Sequence, residues 1–241
     1  MRLAIISDIH GNLAAFEEVL ADIDRQGVDG IMCLGDNIGY GPEPEGVVGL
    51  LQARGIPSIM GNHESALVEK SHLNWFNPYA KIALLLTERL LSRDTMALIQ
   101  NLPPTVITNE YLFVHGCPPD QINTYLFELS VDEFKERFTR MREDMCFVGH
   151  THELVLVSYG DGRVTWKRLG KGSTTLPEDH KHIVSVGSVG QPRDGNNNAK
   201  YVLWDDRTHM LDVRFVPYDI RRTADKIIAM GFPRTFADRL W

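Results

Sequence analysis

Five times along this chain a short apolar run stops at a small polar cluster. The clusters are Asp8-Ile9-His10, Gly35-Asp36-Asn37, Gly61-Asn62-His63-Glu64, His115-Gly116 and Gly149-His150-Thr151-His152. The first constrains the fold most. Leu3-Ala4-Ile5-Ile6 reads as a buried strand, and Leu13, Phe16, Val19, Leu20 and Ile23 then share one face of a helix. Asp8 and His10 therefore fall at the carboxyl end of a strand, where open α/β sheets place ligands. Alone, such a pair also fits a structural hydrogen bond. At successive strand ends, the clusters predict one pocket lined by carboxylates, imidazoles and a side-chain amide.

The chain of 241 residues suffices for one sizeable core, and helical patterns alternating with apolar runs predict a single α/β domain over 1–241. A net charge of -7 argues against a surface for long nucleic acid, though not against a small phosphorylated substrate. Cys33, Cys117 and Cys146 include no CxxC pair, so a reducing, cytoplasmic setting is expected and a thiolate metal site is not. Cys33 reads as core, whereas Cys117, just past His115, is expected near the pocket. No apolar stretch approaches a membrane span and no signal peptide is expected before the first strand, so no membrane partner is predicted. A homo-oligomer stays open.

Along the chain, Asn12 is predicted to cap the first helix and Gly27 to end it. Strands are expected at Asp29–Leu34 and Ile56–Met60, with Pro42 and Pro44 opening the helix between them. Residues 64–102 read as a helical excursion. The aromatic stretch Ser71–Asn77 within it is expected to anchor to the core ahead of lining a rim. Asn109-Glu110 and Gly160-Asp161-Gly162 mark hairpins. A second excursion, 117–144, carries a helix over Ser130–Met141, whose Arg137 and Arg140, with Arg142 just beyond, read as a solvated face. Strands are expected at Met145–Val148, Ile183–Val186, Ala199–Trp204 and Met210–Val216, and a last helix at Asp219–Met230. Trp241 is expected to pack back or meet a partner. The donor types suit Mn, Fe, Zn, Co or Ni better than Mg alone, because imidazoles are numerous.

These motifs, in this order, resemble the calcineurin-like metallophosphoesterase family. The glycine-rich stretch Gly187–Gly195 also resembles its smaller prokaryotic, YfcE-like branch. The resemblance implies an α/β fold (α+β in some schemes), a four-layer αββα sandwich of two mixed β-sheets flanked by helices. It implies that Asp8, His10 and His152 hold a first metal ion, that Asn62, His115 and His150 hold a second, and that Asp36 bridges the two. The ions would be divalent or of mixed valence, Mn and/or Fe first, with Zn, Ni or Co as alternatives. His63 would be the catalytic residue facing the substrate. Hydroxide held between the ions would attack a small phosphodiester. A phosphomonoesterase, a dinucleoside-polyphosphate hydrolase and a non-catalytic metal-containing scaffold are the alternatives.

Two substrate contacts are expected, Asn37 and Arg193. Arg193 would either clamp a phosphate oxygen or form a structural ion pair. One departure stands out. Where the serine/threonine phosphatase branch continues its Gly-Asp motif with an aspartate that partners the catalytic histidine, this chain has Gly39. That weakens a protein-phosphatase reading and favours small substrates.

Overall fold

The structure is a computed structural model describing residues 1–241. In chain order the strands are β1 (Arg2–Ile6), β2 (Gly30–Cys33), β3 (Thr105–Thr108), β4 (Tyr111–Val114), β5 (Met145–Val148), β6 (Leu154–Gly160), β7 (Arg163–Arg168), β8 (Gly172–Thr175), β9 (Lys181–Val186), β10 (Ala199–Asp205) and β11 (Met210–Val216). The helices are α1 (Leu13–Gln26), α2 (Pro44–Ala53), α3 (Asn62–Val68), α4 (Pro78–Leu90), α5 (Arg93–Gln100), α6 (Val131–Arg140), α7 (Ile220–Ala229) and α8 (Arg234–Asp238). Short 3-10 helices lie at Lys70–Trp75 and Leu126–Glu128.

The strands form two mixed sheets, in the orders β2-β1-β10-β11-β8 and β3-β4-β5-β9-β6-β7. In the first, only β1 and β2 run parallel. In the second, β4, β5 and β9 run parallel to one another. Side chains alternate across a strand, and the sequence uses both faces. From β1, Leu3 and Ile5 enter the core between the sheets, while Ala4 and Ile6 meet the α1 residues Phe16, Val19 and Ile23. From β5, Met145 and Phe147 point into the same inter-sheet core, while Cys146 and Val148 pack under Phe134 and Phe138 of α6. The layers are therefore helix, sheet, sheet, helix, as the resemblance implies.

The local signals work where expected. Asn12 caps α1 by accepting from the Ala15 N–H, and Gly27 closes it in the left-handed region. The β3–β4 turn takes positive φ at both Asn109 and Glu110, which gives the twist a tight hairpin needs. Three expectations change. Ile56–Met60 makes only a single parallel bridge, between Cys33 and Ser58, because the chain must turn at once into α3. Strand β8 was not foreseen; its Gly-Ser-Thr-Thr lacks an apolar face and forms as an exposed edge on β11. Helix α8 was also unforeseen: it is short and follows Pro233 directly.

Candidate metal centre

All the parallel strands end at one edge of the sandwich. Asp8 and His10 follow β1, Asp36 follows β2, His115 follows β4, His150 and His152 follow β5, and Asn62 opens α3. Asp8, His10, Asp36, His150 and His152 adopt left-handed backbone conformations, with φ of 55°, 49°, 53°, 63° and 59°. Each costs an L-residue roughly 1–2 kcal/mol, so the surroundings must enforce it. They do so by hydrogen bonds between neighbouring turns. Asp8 N–H donates to Gly35 O (3.0 Å), His10 N–H to Asp36 O (2.9 Å), and Gly149 N–H to His115 O (2.8 Å).

The Gly187–Gly195 loop closes the same edge. Val189 and Gly190 N–H donate to Ser7 O and Asp8 O, and the Ser188 hydroxyl also donates to Asp8 O. Only glycine fits at 190, since a Cβ there would lie 1.7 Å from Ile9 O.

Three imidazoles are locked in one tautomer. Nδ1–H of His10 donates to Ile38 O (3.0 Å), that of His115 to Leu34 O (2.7 Å), and that of His152 to Gln191 O (2.5 Å). In the neutral ring the proton is then on Nδ1, and Nε2 presents a lone pair. Yet His10 Nε2 sits 3.1 Å from His152 Nε2. Lone pairs facing one another at this distance repel unless positive charge lies between them. Asp8 Oδ1 and His150 Nε2 are buried with no hydrogen-bond partner. A buried acceptor left in that state costs about 1–3 kcal/mol, more when charged. The donor set therefore fits metal cations.

Asp8, His10 and His152 present ligand atoms within 4.8 Å of one another, and so do Asp36, His115 and His150. His10, Asp36 and His63 form a further such set, which links the two. Asp36 Oδ2 lies 3.3 Å from His115 Nε2 and 3.7 Å from His10 Nε2, between the two groups. Two adjacent donor sets, linked through His10 and Asp36, describe a binuclear centre.

Burial pushes the Asp8 carboxyl up to about 7. Burial also works against the charge on Asp36, but His115 and His63 hold that carboxyl well below the usual range. Conversely, burial works to lower His115, and the Asp36 charge overrides it and carries the imidazole up to about 9. Burial keeps His10 and His152 well below the ordinary value and brings His150 down to about 3. These three rings are neutral at pH 7, which is the form that ligates metal.

His63 behaves differently. Its backbone N–H donates to Asp36 Oδ1 (2.8 Å), and its ring stacks edge-on against Phe76 at 4.9 Å. Its buried Nδ1 has no hydrogen-bond partner and faces Gly39, where a Cβ would lie 2.1 Å away. Burial lowers this ring to about 4. In this position Nε2 is 3.9 Å from Asp36 Oδ2, so His63 reaches the centre itself.

Sequence reasoning missed two supporting residues. Glu64 is fully buried and accepts from the N–H groups of Asp36 (2.9 Å), Asn37 (2.7 Å) and Gly61 (3.0 Å). It pins the Asp36 turn to the start of α3. The signal was legible as a Gly61-x-x-Glu64 capping pattern. Tyr125 stacks on His150 with ring centroids 3.9 Å apart. Nothing in its sequence neighbourhood announces that contact.

Four expectations need correcting. Asn37 is only 2% exposed; its Oδ1 accepts from Cys33 Sγ and its Nδ2 donates to Ser58 Oγ, so the side chain is turned away from the cavity. Cys117 packs under α6 with Leu126 and Phe134 rather than lining the pocket. The aromatic stretch does both: Phe76 packs against the core and also lines the cavity beside His63, and Trp75 is 43% exposed on the cavity rim. Of the two expectations for Trp241, packing back is not met: Leu240 packs inward, and Trp241 stays 66% exposed on that same rim.

The cavity over the centre measures about 750 Å³ and is lined by Asp36, Asn62, His63, His150 and His152 on its floor. Arg193 stands on its wall. It pairs with no carboxylate; it donates to Gln191 Oε1 at 3.4 Å and lies beside Tyr40 and Tyr125. Of the two readings of Arg193, the structural ion pair is thus not formed. No helix is long and apolar enough to cross a membrane.

A family model described as the calcineurin-like phosphoesterase superfamily domain matches residues 1–208. The uncharacterized protein MJ0912 of Methanocaldococcus jannaschii is 35% identical over 244 residues, covering 99% of this chain and 97% of that one. A crystal structure of a metallophosphoesterase from Sphaerobacter thermophilus superposes with a TM-score of 0.85 at 32% identity, covering 100% of this chain and 98% of that one. The hypothetical protein PH1004 from Pyrococcus horikoshii OT3 shares the fold, with a TM-score of 0.81 at 17% identity over 100% of this chain and 97% of that one. A binuclear donor set at the shared edge of two mixed sheets, matched along nearly its whole length by these relatives, places the chain in the calcineurin-like phosphoesterase superfamily.

Proposed function

We propose that this metallophosphoesterase hydrolyses a small phosphodiester. Asp8, His10 and His152 would hold one ion, Asn62, His115 and His150 the other, and Asp36 would contribute to both sites. Mn and/or Fe fit this mixed oxygen and imidazole set best. Metal cations bound there would supply Lewis-acid stabilisation of phosphoryl oxygens and activation of water.

The chain's own side chains do the rest. Arg193 clamps a non-bridging oxygen. His63 faces the phosphoryl group and hydrogen-bonds to it or to the leaving oxygen. The observation that carries the diester reading is the contact of His63 Nδ1 with Gly39. No carboxylate can stand there to orient the ring and raise its basicity, so a leaving group needing little protonation suits this site. The volume of about 750 Å³ leaves room for substituents on both sides of phosphorus. A more highly charged substrate, a monoester or a dinucleoside polyphosphate, is the second reading. It is favoured by Arg239, which lies on the cavity wall over Phe236 and pairs with no carboxylate. Placement in the YfcE-like branch rests on the Gly187–Gly195 stretch, and a cytoplasmic setting on the three buried free cysteines.

The test compares an aryl phosphodiester with the matching aryl monoester on Mn-loaded protein. A higher kcat/KM for the diester is expected; a clear monoester preference would favour the second reading, and silence on both would restore the scaffold. His63→Ala should keep both ions by metal analysis and lose about 100- to 10,000-fold in turnover. Loss of an ion would make His63 a ligand instead.

A further inference from the structure

We propose that the cavity wall formed by Trp75, Trp241 and Arg239 is a recognition site for a nucleoside group carrying a second anionic charge beyond the scissile phosphate. The inference rests on the phosphoesterase reading of the centre below it. The wall is built by parts of the chain that supply no metal ligand. Trp75 ends the 3-10 helix after α3, while Arg239 and Trp241 follow α8, outside the residues 1–208 matched by the family model.

Two indoles left 43% and 66% exposed beside a polar centre keep apolar, polarisable faces in water. That is unfavourable for the free protein and useful to a planar ligand. Trp75 is also held ready. His72 stacks on the indole at 3.9 Å with an interplanar angle of 15°, and its Nδ1 is tied by a 2.8 Å hydrogen bond to Ser65 Oγ on α3. A platform fixed in advance loses little conformational entropy on binding.

The charges agree with this reading. Arg193 and Arg239 line the cavity without a carboxylate partner, at separate points of the wall. Arg193 borders the metal ligands, through its contacts with Tyr40 and Tyr125, and is assigned above to the scissile phosphate. Arg239 is left for another anionic group. Phosphate alone would use a small part of a cavity of about 750 Å³. Planar ring, sugar-sized spacer and two anionic groups together describe a nucleotide that bears an anionic group besides the phosphate cleaved below.

The test uses metal-loaded, full-chain protein and two probes that resist hydrolysis: α,β-methylene-ADP, and methylenediphosphonate, which lacks the nucleoside. Calorimetry on the unmodified protein should give at least about tenfold tighter binding of the nucleotide. Base–aromatic stacking predicts that Trp75→Ala and Trp241→Ala each lose about 5- to 100-fold for α,β-methylene-ADP and less than about twofold for methylenediphosphonate. Trp75→Phe and Trp241→Phe should recover part of the loss. Arg239→Ala should weaken α,β-methylene-ADP more than an adenosine monophosphonate analogue. Equal affinities of the unmodified protein for the first two probes would overturn the inference, as would tryptophan variants that bind both unchanged. Aryl phosphoester turnover by the same preparation separates the two levels. Turnover without nucleotide discrimination sinks the recognition wall and keeps the phosphoesterase. Discrimination without turnover of any ester does the reverse.

Discussion

The two ends of the sandwich hold similar residues and do different things. At one edge β1, β2, β4 and β5 finish, and Asp8, Asp36, His10, His115, His150 and His152 meet. At the other, β4, β5 and β9 begin, and a cavity of about 590 Å³ is lined by His180, His182, His209, Glu178 and Asp144. Residue types at the second edge look as suitable for metal as those at the first. Their surroundings are not. His180 Nδ1 pairs with Asp179 at 2.8 Å and His209 Nε2 with Glu178 at 3.4 Å, and both carboxylates are largely in water. Exposed contacts of this kind contribute little. His182 is satisfied through both nitrogens, by Ser158 Oγ and Pro177 O. At the first edge the ring nitrogens are aimed at each other with their tautomers fixed by backbone carbonyls. A metal site is thus distinguished by donors that have no other partner, rather than by donors being numerous.

That contrast can be broken most severely at Asp36. Asp36→Ala should lose both ions, seen by elemental analysis, and at least about a thousandfold in kcat/KM. If one ion stays at full occupancy, Asp36 does not join the two sites. A smaller effect is expected from Glu64→Ala, which leaves every ligand in place and removes the acceptor for three backbone N–H groups. Metal affinity should fall about 10- to 100-fold by competition with a chelator, as loss of outer-shell support does elsewhere. Unchanged affinity would show that the Asp36 turn holds its shape unaided. The smallest effect belongs to the opposite edge. His180→Ala and His209→Ala should leave metal content and turnover within about twofold, and stability within about 0.5 kcal/mol. A lost ion in either variant would mean that the two edges are alike after all.

Legibility followed the physics of each signal. The strand-to-ligand junctions were readable because a buried parallel strand needs an unbroken apolar run, and Asp8, Asp36, His115 and His150 each interrupt one or follow one closely. The hairpins at Asn109-Glu110 and Gly160–Gly162 were readable because few residues tolerate positive φ. Strand β8 was not, since its polar residues owe their pairing to the waiting edge of β11. Asn37 was misjudged because adjacency to Asp36 says nothing about direction; its amide turns to Cys33 and Ser58. Trp75 and Phe76 are neighbours too and both border the cavity, yet Phe76 also packs against the core while Trp75 stays 43% exposed.

The sequence by itself determined the chemistry available: which side chains end the apolar runs, and that Gly39 leaves no carboxylate for His63. Their order along the chain also carried the family resemblance, and with it the αββα architecture. Tertiary structure decided the rest. It brought residues more than 140 positions apart, such as His10 and His152, to 3.1 Å. It chose their tautomers through the carbonyls of Ile38 and Gln191, and it set Trp241 on the rim instead of in the core. The physical reason is that composition fixes which donors a chain owns, whereas burial and backbone direction fix which of them are left without a partner.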